Sequence, residues 1–117
     1  MADEKSDAAL DRLFATIEAR KSAAPGSSYT AKLLAGGTAA ITAKITEEAA
    51  EVVVAALEEG PEALTRESAD LLYHLCVLWA EQGLRPEDVW AELARREGVS
   101  GLAEKASRSQ NSDPKQR

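Results

Sequence analysis

The chain of 117 residues has few cysteines and aromatic residues, and it has no excess of positive charge. A single cysteine, Cys76, cannot form a disulfide within the chain, which favours a reducing cytoplasm. No apolar run approaches the roughly 18 residues of a membrane-spanning helix, and the charged N-terminus does not resemble a signal peptide. With 14 basic against 20 acidic residues, the net charge of −6 argues against a nucleic-acid partner.

Glycine and proline residues divide the chain into segments with helical patterns. Alanine, the best helix former, is the most frequent residue. We therefore predict an all-α bundle of about four to five helices, in one domain over residues 1–98. Residues 99–117 are expected to form a disordered tail, because residues 107–114 hold no large apolar side chain. The helices are expected at roughly residues 7–22, 29–35, 38–59, 61–83 and 86–98.

Acidic residues lie close to the apolar stripe of the helix over residues 38–59. Successive residues of a helix are rotated by about 100°, so positions can be measured from Ile45 in the middle of the stripe. Glu48 falls at about −60°, at the margin of the stripe, and Glu51 follows at about −120°. Lys44 shares the flank of Glu51, whereas Glu47, at about −160°, points away.

The next helix repeats this arrangement. Measured from Leu71, Glu67 falls at about −40° and Asp70 at about −100°. Because the tight Gly60-Pro61 break joins the two helices, we expect them to pack as an antiparallel hairpin. Both pairs of carboxylates would then meet at one edge of that hairpin.

Four converging carboxylates need compensation. Two unit charges roughly 4 Å apart repel by about 4 kcal/mol at an effective dielectric constant of about 20, and Lys44 neutralises one charge at most. The carboxylates would therefore take up protons, pair with basic residues or bind a cation. An oxygen-only set of ligands suits Mg²⁺, Mn²⁺ or Ca²⁺ better than zinc. The alternative is that these residues are solvated surface, where most glutamates lie.

The same residues carry a resemblance to known proteins. Glu48-x-x-Glu51 followed by Glu67-x-x-Asp70 resembles the paired motif of the all-α nucleoside triphosphate pyrophosphohydrolase superfamily, the MazG-like fold. Over residues 10–97 the chain is more closely similar to the stand-alone form of the phosphoribosyl-ATP pyrophosphohydrolase family. The matching motifs are Arg20-Lys21, Ser28-Tyr29-Thr30, Lys32-Leu33-Leu34, Lys44-Ile45-x-Glu47-Glu48-x-x-Glu51-Val52, Glu67-x-x-Asp70-Leu71-Leu72-Tyr73-His74 and Leu93-x-x-Arg96.

The resemblance implies an enzyme that hydrolyses phosphoribosyl-ATP to phosphoribosyl-AMP and pyrophosphate, an early step of L-histidine biosynthesis. Mg²⁺, with Mn²⁺ as a substitute, would be held by Glu48, Glu51, Glu67 and Asp70, and Glu47 would be a further catalytic residue. The candidates for binding the phosphate groups of the substrate are Lys44, Arg20, Lys21, Tyr29, Lys32, Arg95 and Arg96.

Two segments, residues 52–57 and 71–80, are apolar nearly all the way round a helix, which predicts burial in a homodimer. Two other functions stay open at this point. One is a house-cleaning pyrophosphatase of the same superfamily acting on dCTP, dUTP or a modified nucleotide. The other is a non-enzymatic helical dimerisation module. His74 is more typical of a hydrogen-bonded core residue than of a catalytic base.

Overall fold

The fold is all α-helical, as the composition predicts. The computed structural model describes the backbone of residues 4–111 and the side chains of residues 9–109. Within this part of the chain there is no β-strand. A 3-10 turn at Pro25–Ser27 and a π-helical turn at Ala55–Glu59 accompany five α-helices, which are α1 (Glu4–Arg20), α2 (Tyr29–Val54), α3 (Pro61–Glu81), α4 (Pro86–Arg95) and α5 (Gly101–Asn111).

Helix α1 contributes its apolar stripe to the core. Phe14 and Ile17 are buried, and Leu10 and Leu13 pack against the core from the same helix. The stripe predicted from their helical spacing is therefore confirmed. The buried core draws on the first three helices and consists of Phe14, Ile17, Leu33, Ile41, Cys76, Val77 and Ala80.

Helix α2 changes direction at Gly37. The backbone there has φ 79° and ψ −171°, a conformation that is essentially restricted to glycine. We call residues 29–36 the first limb of α2 and residues 38–54 the second limb. The sequence predicts this break as two helices separated by Gly36-Gly37, and the structure confirms it.

The first limb runs in the same sense as α3. The hydroxyl of Thr30 is hydrogen-bonded to that of Tyr73, and the hydroxyl of Thr38 donates to Glu81 at 2.8 Å. Both pairs are 43 residues apart, so from Thr30 on the first limb to Thr38 at the start of the second limb the chain advances in the same direction as α3. The first limb therefore begins beside Tyr73 and His74, at the end of the hairpin that carries the carboxylates.

The second limb and α3 form the predicted antiparallel hairpin. Glu48 lies beside Glu67, and the π-helical turn closes the hairpin with a 3.0 Å hydrogen bond from Gly60 N to Ala55 O. Gly60 has φ 105° and ψ −179°, and Pro61 begins α3 with the φ that a first helical turn requires. The Gly-Pro break therefore sets where the two helices face each other.

The face of α3 that enters the core differs from the predicted one. The sequence pattern places Leu71 in the middle of the buried stripe, but Leu71 is only half-buried. The core face is rotated by about 120° toward Val77, and it includes Cys76, which falls at about 140° from Leu71. Small residues on this face permit close helix packing, whereas the leucines stay half-exposed. The buried residues of α3 are Ala63, His74, Cys76, Val77 and Ala80.

The chain divides into two compact units, Met1–Pro86 and Glu87–Arg117. In the second unit, Ser100 Oγ accepts from Ala103 N and so caps α5. Glu104 is 5% exposed, and its carboxylate lies 2.6 Å from the guanidinium of Arg95. Helix α5 therefore lies within residues 99–117, for which the composition predicts a disordered tail. Residues 112–117 lie outside the described part, and the division at residue 98 stays a proposal.

Among the described residues, no helix combines the length and the apolar character that crossing a membrane requires.

Candidate metal and phosphate site

The predicted carboxylates meet on the antiparallel hairpin. One oxygen from each of Glu48, Glu67 and Asp70 lies within 4.8 Å of the others. Glu47, Glu48 and Glu51 form a second set within the same distance, so Glu48 belongs to both. The fold therefore brings all five acidic residues of the sequence motif to one edge of the hairpin.

Glu48 occupies the closed side of this cluster. Its side chain is 7% exposed. Ile41, Glu48 and Ala55 follow one another at intervals of seven residues, and all three are buried. The buried face is thus centred nearer to Glu48 than to Ile45, which is only half-buried. A buried carboxylate is costly unless it is paired or bound to a metal, so this position favours a bound cation.

The carboxylate of Glu67 also needs a partner. Across residues 9–109, its Oε1 is the side-chain oxygen that is buried without a hydrogen-bond partner. Burial raises the pKa of Glu67 above its ordinary 4.5, and the neighbouring carboxylates of Glu51 and Asp70 raise it further. Either a proton or a cation would satisfy this oxygen.

The other side of the cluster is open to solvent. Glu47, Glu51 and Asp70 are exposed, so a ligand can reach their carboxylates. A cavity of about 170 Å³ adjoins them and is lined by Glu51, Val54, Glu59 and Glu67. Sequence reasoning did not find Glu59, because it stands in the π-helical turn, where the periodicity of an α-helix no longer applies.

Lys44 contacts two adjacent carboxylates of the second limb, those of Glu47 and Glu48. Its Nζ donates to Glu47 Oε1 at 2.9 Å and lies 3.8 Å from Glu48 Oε2. The hydrogen bond to Glu47 raises the pKa of Lys44. The helical angle of Glu47 points it away from the cluster, but its flexible side chain and this ion pair bring its carboxylate to Glu48 and Glu51.

A polar and aromatic group flanks the carboxylates. The hydroxyl of Tyr29 lies 2.9 Å from His74 Nε2, and His74 Nδ1 lies 2.8 Å from the backbone oxygen of Asp70. Tyr73, hydrogen-bonded to Thr30, has its ring centroid 6.2 Å from that of Tyr29. His74 is 5% exposed and Tyr29 is 50% exposed. The expectation of a hydrogen-bonded core histidine is confirmed, whereas Thr30 and Tyr73 were predicted only as members of the matching motifs and not as residues of the site.

The basic candidates on α1 and the first limb lie in the same compact unit. Arg20 and Lys21 are at the C-terminal end of α1, and Lys21 pairs with Glu18 at 3.1 Å. Lys21 also lines a cavity of about 330 Å³ together with Glu81. Lys32 is exposed on the first limb, so it is accessible to an anionic ligand.

Arg95 and Arg96 lie in the second unit, where carboxylates already engage them. Arg96 Nε donates to Glu92 Oε2 at 2.9 Å and lies 3.9 Å from Glu104 Oε2. The hydrogen bond to Glu92, followed by that to Glu104, raises the pKa of Arg95. A role of either arginine in binding phosphate stays a prediction.

Known proteins resemble the chain over most of its length. A family model described as phosphoribosyl-ATP pyrophosphohydrolase matches residues 10–97. The chain is 58% identical to the phosphoribosyl-ATP pyrophosphatase of Azospirillum brasilense, over 92% of this chain and 98% of that protein. It is 58% identical to that of Rhodospirillum rubrum, over 85% of each chain. It is also 50% identical to phosphoribosyl-ATP pyrophosphatase 2 of Rhodopseudomonas palustris, over 90% of this chain and 80% of that protein.

Proposed function

Because the chain belongs to the phosphoribosyl-ATP pyrophosphohydrolase family, we propose that it hydrolyses phosphoribosyl-ATP to phosphoribosyl-AMP and pyrophosphate in histidine biosynthesis. The observation that carries this proposal is the convergence of two overlapping carboxylate sets on Glu48. Such a cluster suits a substrate that reaches the protein through a divalent cation. A net charge of −6 would otherwise repel a triphosphate.

We assign four carboxylates as ligands of Mg²⁺, with Mn²⁺ as a substitute. The oxygen-only ligand set and the unpartnered Oε1 of Glu67 support this assignment within the described residues. The chemistry that the cation supplies when bound is neutralisation of phosphate charge and a lower pKa for a coordinated water. The ligands are Glu48, Glu51, Glu67 and Asp70.

The remaining residues of the site would bind the phosphates and orient the attacking water. Lys44 acts as a point charge on phosphate oxygens, and the half-exposed Tyr29 offers a hydroxyl that lies 2.9 Å from His74 Nε2. Glu47 is exposed at the same edge, and in this proposal it accepts a hydrogen bond from the water. Hydrolysis breaks the anhydride bond between the α- and β-phosphates. The oxygen of water joins one phosphorus, and the bridging oxygen leaves with the other phosphate.

The working unit of this proposal is a homodimer in the cytoplasm. The second limb and the turn after it expose Val53, Val54 and Leu57, by 55%, 43% and 78% of their surface. Leu72 of α3 is also 40% exposed. Val53, Val54 and Leu57 are close to one another by helical spacing, and exposed apolar side chains grouped in this way favour an interface. The cytoplasmic location is supported by the single thiol of Cys76.

A panel of substrates tests the proposed activity. Purified protein with Mg²⁺ is incubated with phosphoribosyl-ATP, dCTP or dUTP, and the products are separated and quantified. We expect phosphoribosyl-AMP and pyrophosphate in equal amounts from the first substrate, and slow turnover of the others. Hydrolysis of dCTP or dUTP without that of phosphoribosyl-ATP would indicate a house-cleaning enzyme. Turnover of none of them would favour a non-enzymatic dimerisation module.

A further inference from the structure

Helix α5 is attached to its compact unit by a charge rather than by an apolar face. Over residues 101–109 the one buried side chain is that of Glu104, which is 5% exposed. Leu102, the large apolar residue of the same stretch, is 83% exposed. A surface helix normally docks by burying an apolar stripe. The docking of α5 therefore depends on the groups that the Glu104 carboxylate contacts.

Those groups are guanidinium groups. Oε2 of Glu104 accepts a hydrogen bond from Arg95 Nη2 at 2.6 Å and lies 3.9 Å from Arg96 Nε. Arg108, on α5 itself, lies 3.5 Å away from the same oxygen. Guanidinium groups are the side chains that bind phosphate oxygens with the best geometry. A carboxylate oxygen of the chain thus occupies a place that a phosphate oxygen would fit.

Glu92 holds the two arginines of α4 in position independently of α5. Its carboxylate accepts from Arg95 Nε at 3.1 Å, from Arg95 Nη2 at 2.7 Å and from Arg96 Nε at 2.9 Å. The hydrogen bonds of Arg95, and then those of Arg96, lower the pKa of Glu92 to about 2, so Glu92 is ionised at neutral pH. Two positive charges against one negative charge leave an excess of positive charge when Glu104 is withdrawn.

We propose that Glu104 is a built-in competitor for an anion site on Arg95 and Arg96. Its carboxylate closes the site while α5 is docked, and a phosphate-bearing anion displaces it and releases α5. Arg95 and Arg96 stay on Glu92 when α5 leaves, so the site is preorganised for the incoming phosphate. The inference concerns the second compact unit and goes beyond the proposed hydrolysis of phosphoribosyl-ATP.

Removal of the competing charge should strengthen anion binding. Inorganic pyrophosphate is titrated into the full chain by calorimetry, with EDTA present so that no divalent cation contributes. We expect Glu104→Gln to bind pyrophosphate about tenfold more tightly than the wild type, because a charge-assisted hydrogen bond no longer competes. Glu97→Gln removes an exposed carboxylate from the same unit and should stay within about twofold of the wild type.

A double variant locates the anion. Glu104→Gln combined with Arg96→Gln should lose the tenfold gain, whereas pyrophosphate bound elsewhere on the chain would be unaffected by the second substitution. Equal affinities of Glu104→Gln and the wild type would overturn the proposal. A gain that survives the loss of Arg96, or that Glu97→Gln reproduces, would also overturn it, because it would then reflect net charge alone.

Hydrogen exchange of the wild type tests whether the anion releases α5. Pyrophosphate should reduce the protection of the backbone amides of residues 104–109, and sodium chloride at the same ionic strength should reduce it less, since it only screens the ion pairs. Equal effects of the two salts would overturn displacement by a phosphate anion. Neither measurement uses turnover, so failure of the proposed enzymatic activity would leave this outcome unchanged.

Discussion

At the scale of the residue, two glutamates give the site its character. Glu48 is nearly fully buried, and Glu67 holds one oxygen away from both water and hydrogen-bond donors of the described residues. In the absence of a cation, each ionised carboxylate raises the cost of ionising its neighbours. The carboxylates of the site therefore repel one another, and a bound divalent cation would offset that repulsion.

The raised pKa of Glu67 predicts how metal-free stability depends on pH. The folded chain holds the proton of Glu67 more tightly than the unfolded chain, so this residue lowers the unfolding free energy as pH rises through and above about 4.5. Glu67→Gln should thus melt at a higher temperature than the wild type at neutral pH without metal. The difference should shrink toward acid pH, as measured by thermal melts across a pH series.

The same variant tests the role of Glu67 as a ligand. Mg²⁺ binds only the folded site, so it should raise the melting temperature of the wild type and have little effect on Glu67→Gln. Glu58→Gln, which changes an exposed carboxylate outside both acidic sets, serves as the control. An equal response of Glu67→Gln and Glu58→Gln to Mg²⁺ would refute the ligand assignment.

At the scale of the element, the reversal at Gly37 assembles the site. In one straight helix, Tyr29 and Lys44 would be about 22 Å apart along the axis, at a rise of about 1.5 Å per residue. The break instead places the hydroxyl of Tyr29 2.9 Å from His74 Nε2. It also brings Tyr29 close enough to Lys44 for the charge of the lysine to act on the pKa of the phenol. The first limb thus brings the hydroxyl of Tyr29 to the carboxylate hairpin.

Gly37→Ala should disturb this reversal. A side chain at φ 79° and ψ −171° is strained, so we expect a loss of about 1–3 kcal/mol in the free energy of unfolding, measured in urea. Gly26→Ala is the matched control, since Gly26 has an ordinary φ and open space around it. A Gly37→Ala variant as stable as Gly26→Ala would contradict the account of the break.

Much of this element structure follows from the sequence, and the failures have physical causes. The positions of glycine and proline predict where helices end and predict the breaks at Gly37 and Gly60, because these residues act on the local backbone. Helical angles bring the carboxylates together but misplace the core face of α3 at Leu71. Periodicity shows which faces are apolar but not which one a neighbouring helix covers. Helix α5 was missed because the partner of Glu104, Arg95, is on another helix.

At the scale of the whole molecule, a metal-dependent homodimer would account for both the acidic composition and the exposed apolar residues. Part of the negative charge consists of proposed metal ligands, so the charge balance excludes long nucleic acids more firmly than it excludes a single nucleotide. The exposed side chains of Val53, Val54 and Leu57 leave an apolar surface on the first compact unit. We therefore expect a second copy of the chain to cover that surface.

Leu57→Glu should shift the chain toward a monomer. Light scattering after size exclusion should give the wild type twice the chain mass of 12.5 kDa, and the variant a mass closer to one chain, because a charge at a buried interface is costly. Ala15→Glu, at an exposed position of α1, should leave the mass unchanged. A monomeric wild type would contradict the proposed dimer.

Whether the carboxylate hairpin is the catalytic centre can be decided by one measurement. It is the rate of pyrophosphate release from phosphoribosyl-ATP by the wild type and by Glu48→Gln, with and without Mg²⁺. Glu48 belongs to both carboxylate sets, so its substitution should lower kcat/KM by roughly a hundredfold or more. The wild type should in turn lose its activity when Mg²⁺ is removed. A Glu48→Gln variant that retains wild-type, Mg²⁺-dependent turnover would show that the carboxylate hairpin is not the catalytic centre.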